Sequence, residues 1–256
     1  MKRHIIAAIL LALAWVLNAP VVASEAMSSP FPAEVPLLRK IQENPSPLLY
    51  AQLARLRAEK AAQLYRQWEK GKKPEDLRQA LIYADSASRL SPNWDRPWTL
   101  LGMIHANFRN DREALELATK SLIRAVDINP ANGPAQLLLA QVLMEQGRFW
   151  SAIEQYKSLF AKSEAMITGI NTAPLALCYV LDNRIQAGMF YFQELAARYP
   201  KKTSVVIAQA VLQRHGGKPK DALTLLDNIV ARPDTSAGER DYVKTLIAKW
   251  KKEVRP

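Results

Sequence analysis

The chain contains little cysteine, histidine and glycine for its length. Its 256 residues include one cysteine, three histidines and nine glycines. A single cysteine excludes a disulfide within the chain, and together with three histidines it leaves no Cys/His metal cluster of ordinary spacing. Nine glycines are also few for an α/β enzyme, whose loops and nucleotide-binding turns require them. We therefore expect neither a metal centre nor a nucleotide-binding α/β fold.

Motifs for catalysis are also missing. The sequence contains neither G-x-S-x-G nor H-E-x-x-H. Gly216-Gly217-Lys218 resembles the end of a phosphate-binding loop, but Leu212 stands at the place of the earlier glycine and Pro219 at that of the Ser/Thr. Acidic residues fall on polar faces, without a close pair in an apolar setting, and His105 occupies a packing place in a repeat. We expect no catalytic residue, cofactor or metal; the alternative is an envelope enzyme, or an enzyme's accessory subunit, acting on peptidoglycan or exported polysaccharide.

The first residues have the pattern of a secretory signal peptide. A basic start is followed by an apolar run from Ile5 to Leu17, by a break at residues 18–20 and by small residues up to Ala23. This pattern predicts cleavage between Ala23 and Ser24 and a periplasmic or secreted mature chain. The alternative is an inner-membrane anchor at residues 5–23, which are 19 residues against the roughly 20 needed to span a bilayer.

The charge of the chain is strongly positive. There are 35 Lys and Arg residues against 24 Asp and Glu, a net charge of +11, and removing Lys2 and Arg3 with the signal peptide lowers it to +9. Such a charge favours weak association with anionic surfaces. Nucleic acid is not an expected partner, because aromatic residues are not interleaved with the basic ones.

Proline and cysteine mark two further segments. Residues 24–47 contain five prolines, a density that predicts an extended arm or linker, lying along the folded body or free of it. Cys178 lies in the apolar run Leu175–Leu181, which predicts a small buried hydrophobe rather than a reactive thiol.

From Leu48 onward the pattern is helical and repeated. Apolar residues recur every three or four positions, and short breaks separate segments of helical length. Small residues at 102, 140, 176 and 210 are spaced by 38, 36 and 34 positions, and a second series at 114, 152, 188 and 222 has the same spacings. Two helices cross closely only where a side chain is small, so the matched series predict a repeated helix–turn–helix unit.

The repeats resemble those of the tetratricopeptide repeat (TPR) family. Trp98-x2-Leu101-Gly102-x2-His105, followed by Ala114 and Pro130, is similar to the TPR signature, with histidine replacing the usual aromatic residue. The resemblance implies an all-α TPR superhelical solenoid of about five helix–turn–helix repeats with a C-terminal capping helix; a plain helical bundle is the alternative. The predicted units are residues 48–92, 93–130, 131–166, 167–200 and 201–234, followed by a capping helix and tail at 235–256.

The last helix has its own start signal. Ser236-Ala237-Gly238-Glu239 is a capping box, in which the serine and glutamate satisfy each other's backbone N–H groups. Val243, Leu246 and Trp250 then form one apolar stripe. A helical array needs such a terminal element, because its last repeat has no neighbour.

The TPR resemblance also implies a binding surface, because the first helices of TPR units line a concave groove that receives a peptide or a partner's helix. The positions that match the groove are Arg96, Thr99, Met103, Asn107, Leu137, Gln141, Met144, Leu177, Val180, Leu181, Ile207, Val211 and Arg214. These residues are mostly apolar, which suits an amphipathic helix or an extended hydrophobic segment better than a terminal carboxylate. Alternatively, the run Leu177–Leu181 is buried in the packing. The sequence thus predicts a non-catalytic interaction or scaffolding module of the bacterial cell envelope, with a protein or peptide of an envelope assembly as its partner.

Export gives the first testable prediction. Mass spectrometry of the protein from envelope fractions should find a mature chain that begins at or near Ser24, because the small residues before this position fit signal peptidase. A cytosolic protein that retains Met1 or Lys2 would contradict the prediction.

Overall fold

The computed structural model describes residues 31–253, and the predicted signal peptide lies outside this range. The described residues form twelve α-helices, a short 3-10 helix at Glu164–Met166 and no strand, as the all-α prediction requires. None of these helices combines the length and the hydropathy that a bilayer crossing needs. In chain order the helices are α1 (Val35–Glu43), α2 (Pro47–Gly71), α3 (Pro74–Leu90), α4 (Asp95–His105), α5 (Arg112–Ile128), α6 (Gly133–Glu145), α7 (Phe149–Lys162), α8 (Gly169–Leu181), α9 (Ile185–Arg198), α10 (Thr203–His215), α11 (Pro219–Ala231) and α12 (Ala237–Glu253).

The chain divides into two compact units, Met1–Ala135 and Gln136–Pro256, and the division falls within α6. In the first unit α2 packs against α3, α3 against α4, and α4 against α5. In the second unit α8 contacts α7, α9 and α10, while α11 packs between α10 and α12. Within each unit, short turns make the packed pairs of successive helices antiparallel neighbours, which is the arrangement that the repeat spacing predicts.

Small residues lie where the helices of a pair cross. A Cβ atom added to Gly102 of α4 would lie 2.4 Å from Leu122 Cγ on α5, and one added to Gly188 of α9 would lie 2.7 Å from Tyr179 Cγ on α8. Both distances are far below van der Waals contact. The two glycines therefore set how closely the helices of their pairs approach.

Three turns in the second unit each contain one residue with a left-handed backbone conformation at the equivalent place. Gly147, Asn183 and Gly217 have φ values of 73°, 55° and 79°, and they are spaced by 36 and 34 positions. In each case the next residue donates its N–H to a carbonyl five positions earlier, at 2.8–2.9 Å, which is the Schellman ending of a helix. Asparagine tolerates the left-handed conformation better than other non-glycine residues, so Asn183 replaces glycine at this place. The pattern of small residues in the sequence does not mark Asn183 as the equivalent of the two glycines.

The predicted capping helix is α12, and its capping box is formed. The Ser236 hydroxyl oxygen accepts the N–H of Glu239 at 3.3 Å, and the Glu239 carboxylate accepts the N–H of Ser236 at 3.2 Å. Val243, Ile247 and Trp250 are buried against α11. Leu246 is half-buried and packs against the same cluster. The stripe also includes Ile247, because the contact face follows residues four and three apart from Val243.

The proline-rich segment was predicted to be an extended arm or linker. This prediction is wrong for residues 35–43, which form α1. Pro36 lies in the first turn of this helix, where no intrahelical N–H is needed and the fixed φ of proline suits the helix. Leu38 and Ile41 are buried in a cluster with residues of α2 and α3. Residues 35–43 are thus part of the folded body of the first unit.

A buried ion pair fixes the residues before α1 to the first helix pair. Arg57 of α2 donates from Nε to Glu34 Oε1 at 2.7 Å and from Nη2 to Glu34 Oε2 at 3.1 Å. The side chains are 3% and 0% exposed, and Arg57 Nη1 donates to the hydroxyl of Ser86 on α3. The Phe31 ring also packs edge-on against Tyr83, with a centroid distance of 5.4 Å. The segment is therefore held by both α2 and α3.

The helix crossing at Gly102 can be tested by adding one methyl group. Gly102→Ala should lower the free energy of unfolding by about 1–3 kcal/mol, because the new Cβ overlaps Leu122 and the helices must move apart. Gly238→Ala is the matched control, since no atom lies within 4 Å of its added Cβ and alanine favours the helix. Urea unfolding of both variants measures the difference. Equal stability of the two variants would show that Gly102 does not limit the approach of α4 and α5.

The ion pair gives a second stability prediction. Glu34→Ala should cost about 3–5 kcal/mol, because Arg57 keeps its charge in a buried place without the carboxylate. Glu75→Ala removes the carboxylate of the exposed Glu75–Arg78 pair and should cost less than about 1 kcal/mol. Thermal and urea unfolding measure both values. If the two substitutions cost the same, the Glu34–Arg57 pair does not fix the N-terminal segment.

Candidate partner-binding surface

The predicted groove positions of the first unit lie on α4 or in the turn after it. Arg96 and Asn107 are exposed, while Thr99 and Met103 are half-buried. The Asn107 amide donates to the Tyr65 hydroxyl oxygen at 2.9 Å, and the Thr99 hydroxyl donates to a main-chain carbonyl one turn earlier at 3.0 Å. Met103 packs against the core of the unit. Three of the four side chains thus have contacts within the unit.

The predicted groove positions of the second unit lie on α6, α8 and α10. All of these side chains are at least partly exposed. The positions are Leu137, Gln141, Met144, Leu177, Val180, Leu181, Ile207, Val211 and Arg214. Leu177 and Leu181 are 38% and 49% exposed, so these two side chains lie outside the core. The alternative in which the whole run Leu177–Leu181 is buried is wrong for them.

Arg214 has a contact that the sequence analysis does not predict. Its guanidinium carbon lies 4.8 Å from the centroid of the Trp250 ring on α12, a cation–π distance. Arg214 therefore takes part in the packing of α10 against the capping helix, in addition to contributing charge at the surface.

An apolar pocket of about 470 Å³ lies between α8, α10 and α12. Its lining includes two predicted residues, Ile207 and Val211, and ten others: Thr168, Gly169, Ile170, Thr172, Ala173, Thr203, Ser204, Ala208, Glu239 and Tyr242. Ile170 and Tyr242 are 79% and 59% exposed. The pocket thus joins two large exposed hydrophobic side chains, which the sequence analysis missed, to the predicted surface of α10.

The pocket continues into an apolar face of α8. Ile170, Ala173, Leu177 and Leu181 are all exposed, and their spacings of three and four residues place them on one side of the helix. The buried residues of α8 occupy the opposite side. The helical period and the start at Gly169 are the signal that could have added Ile170 to the predicted set.

This surface has almost no charge. The sequence of α8 contains no charged residue, and α10 has charge or histidine only at its end. Among the described residues that line the pocket, Glu239 is the one charged side chain. The hydrogen bond from Ser236 holds the pKa of Glu239 below its usual value, so this carboxylate is ionised and already committed to the cap of α12. The surface suits an uncharged, apolar occupant.

A second pocket, of about 370 Å³, lies between α7 and α9 and has a different chemistry. Its lining carries Glu154, Lys157, Glu194 and Arg198 beside Tyr191. Lys157 Nζ lies 3.0 Å from Glu154 Oε1, and burial raises the pKa of Tyr191 to about 12. The lining has two acidic and two basic side chains. This pocket therefore presents no excess of either charge to a partner.

The histidine and cysteine singled out in the sequence are packing residues. Burial lowers the pKa of half-buried His105 and raises the pKa of Cys178 to about 12. Cys178 is fully buried, which confirms the prediction of a small buried hydrophobe. Within residues 31–253, no three His, Cys, Asp or Glu side chains are placed to hold a metal ion together.

No protein-family model matches the chain. It is 33% identical over 78 residues to anaphase-promoting complex subunit 7 of Dictyostelium discoideum, a match that covers 30% of this chain and only 13% of that protein.

Similar solved structures cover a larger part of the chain than this sequence match does. It is similar to YrrB, a TPR protein with an unusual peptide-binding site (TM-score 0.54, 15% identity, 85% of this chain and 98% of that one). It is also similar to MamA residues 41 to the end from Desulfovibrio magneticus RS-1 (TM-score 0.50, 15% identity, 81% and 98%). The type IV pilus biogenesis factor PilW matches too (TM-score 0.50, 16% identity, 79% and 88%). The paired helices, the small residues at their crossings and these similarities together confirm that the chain has the all-α fold of the TPR proteins.

Proposed function

We propose that the chain is a non-catalytic protein-interaction module of the bacterial cell envelope, which binds a peptide or helix of a partner protein on the apolar face of α8 and in the adjoining pocket. The observation that carries this proposal is the row of exposed apolar side chains on a helix without charge. Contiguous apolar surface of this kind marks interaction sites on soluble proteins, because its burial is favourable by about 25 cal/mol per Å².

The dimensions of the face suit a short segment. Ile170 and Leu181 are eleven residues apart, which corresponds to roughly 16 Å along a helix. About five residues of an extended peptide cover this length. The pocket at the Ile170 end adds depth to an otherwise shallow face, and deep apolar pockets are where the anchor residues of an interface bind.

The envelope part of the proposal depends on the predicted signal peptide and on the positive charge. A mature chain with a charge of +9 after removal of Lys2 and Arg3 would associate weakly with anionic envelope surfaces. The similar folds of YrrB, with its peptide-binding site, and of PilW, a pilus biogenesis factor, support a partner that is a peptide or a component of an envelope assembly.

The apolar face can be tested by adding charge. Leu177→Asp combined with Leu181→Asp should weaken binding of the partner by roughly a hundredfold or more, since central apolar anchors contribute about 2 kcal/mol each. The partner is first identified by affinity purification of the exported protein with mass spectrometry. Its affinity for each variant is then measured by calorimetry, with circular dichroism to confirm helicity.

The matched control is Ile82→Asp combined with Phe190→Asp, two large hydrophobic residues that are also exposed but lie on α3 and α9. This variant should bind as the wild type does. A folded Leu177/Leu181 variant with unchanged affinity would contradict the proposed surface, and loss of helicity in that variant alone would show that the two leucines belong to the core.

A further inference from the structure

We propose that one end of the second unit binds the surface of an anionic lipid bilayer through five lysines, which the packing of α10, α11 and α12 brings together. They lie at the start of α11 and at the end of α12 and are Lys218, Lys220, Lys249, Lys251 and Lys252. These five residues are called the lysine end below. The lysine end contains none of the residues of the apolar face of α8, so its ligand adds to the proposed function and does not depend on the protein partner.

The contact between Arg214 and Trp250 brings the two groups of lysines to the same end of the unit. The guanidinium carbon of Arg214, near the end of α10, lies 4.8 Å from the centroid of the Trp250 ring on α12. The turn after α10 leads directly to Lys218 and Lys220, and Trp250 stands between two of the lysines of α12. Lys220 and Lys249 are 29 positions apart in the sequence. The fold therefore collects the lysine end, which no single run in the sequence contains.

The charges of the lysine end are exposed and unbalanced. All five side chains are exposed, and within residues 31–253 none of them takes part in an ion pair or a side-chain hydrogen bond. Residues 214–221 and 249–252 contain one carboxylate, that of Asp221, and Glu253 and Arg255 further along the sequence add no net charge. The lysine end therefore carries a local excess of positive charge.

The opposite end of the same unit has a different arrangement of charge. There Lys202 Nζ lies 3.7 Å from Glu164 Oε1, and Arg232 Nη2 lies 3.0 Å from Asp234 Oδ2. The Arg240 guanidinium donates to two main-chain carbonyls, at 3.1 and 3.2 Å. Three basic side chains of this end thus have acceptors within the unit, which the described residues around the lysine end do not provide. A ligand from outside the chain has to supply the negative charge at the lysine end.

The chemistry of lysine favours a bilayer over a single bound anion. Arginine holds a carboxylate or phosphate in a fixed two-bonded geometry, whereas the lysine ammonium is a point charge on a flexible chain. None of the five lysines lines either of the two pockets described above. Clusters of roughly four to eight basic residues bind anionic lipid surfaces, where each charge is attracted to many headgroups. Trp250 is only 5% exposed, so the attraction is electrostatic and should weaken with salt.

Sedimentation with vesicles tests the proposal on the chain that begins at Ser24, which contains every described residue. It should bind vesicles of phosphatidylglycerol and phosphatidylcholine in equal parts, less strongly as salt is added, and should not bind phosphatidylcholine alone. Lys218→Glu combined with Lys220→Glu should weaken binding by at least about twentyfold, because each lysine near an anionic surface contributes roughly fivefold. Lys251→Glu combined with Lys252→Glu should weaken it similarly, since both pairs face the same bilayer.

Arg198→Glu combined with Lys201→Glu is the matched control, since it changes the net charge equally at the opposite end of the unit. The length of α10, roughly 18 Å, separates the two ends, against a screening length of about 10 Å at 0.1 M salt. This variant should bind almost as the wild type does, and circular dichroism checks the helicity of all three variants. Equal weakening by the control would show that binding follows net charge alone, and normal binding by either lysine variant would show that the five lysines do not form one surface. Either result overturns the inference.

Chemical labelling maps the contact without any substitution. An amine-reactive ester, read out by mass spectrometry, should label the five lysines several-fold more slowly when anionic vesicles are present, while exposed Lys201 should react at an unchanged rate. Equal labelling of the lysine end with and without vesicles would contradict the bilayer contact. An acidic protein segment is the other class of ligand with this charge. If the chain binds a polyglutamate peptide but not the anionic vesicles at the same salt concentration, the lysine end binds protein and the proposal is wrong.

Discussion

Close approach of two helices is the constraint on which the fold depends. A pair of helices can pack at short range only where one of the facing side chains is absent or a single carbon long, as at Gly102 beside Leu122 and Gly188 beside Tyr179. Once such a residue faces the neighbour, the rotation of its helix about its own axis is fixed. The opposite face must then point away from that neighbour. The exposed face of α8 is therefore a consequence of which side of the helix packs.

Features that depend on sequence neighbours were predictable, and features that depend on distant contacts were not. The capping box joins residues three apart, and the small-residue series repeats with the units, so both leave a local or periodic signal. The Glu34–Arg57 pair joins residues 23 positions apart, and no pattern in the sequence connects them. The proline density before α2 suggested a linker, because composition does not show that Leu38 and Ile41 have a core to enter.

The residues of the candidate surface likewise differ in whether the sequence could predict them. The TPR resemblance predicts Ile207 and Val211, because it assigns groove positions on α10, and both residues line the pocket. Ile170 and Tyr242 were missed, because the pocket forms only when the first turns of α8 and α12 are brought beside α10. The uncharged stretch of α8 was visible in the sequence, but its exposure was not: an apolar run is equally consistent with a buried helix. The structure decides between these alternatives through the exposure of Leu177 and Leu181.

The buried ion pair in the first unit also bears on the rates of folding and unfolding. Arg57 reaches Glu34 from α2 while donating to Ser86 on α3, so the three groups meet only after the two helices have paired. An interaction that forms late is absent from the folding transition state and acts mainly on the rate of unfolding. The residues before α1 are therefore expected to slow the opening of the first unit more than they speed its formation. The Glu34 carboxylate is thus expected to affect the lifetime of the folded first unit more than the rate at which that unit folds.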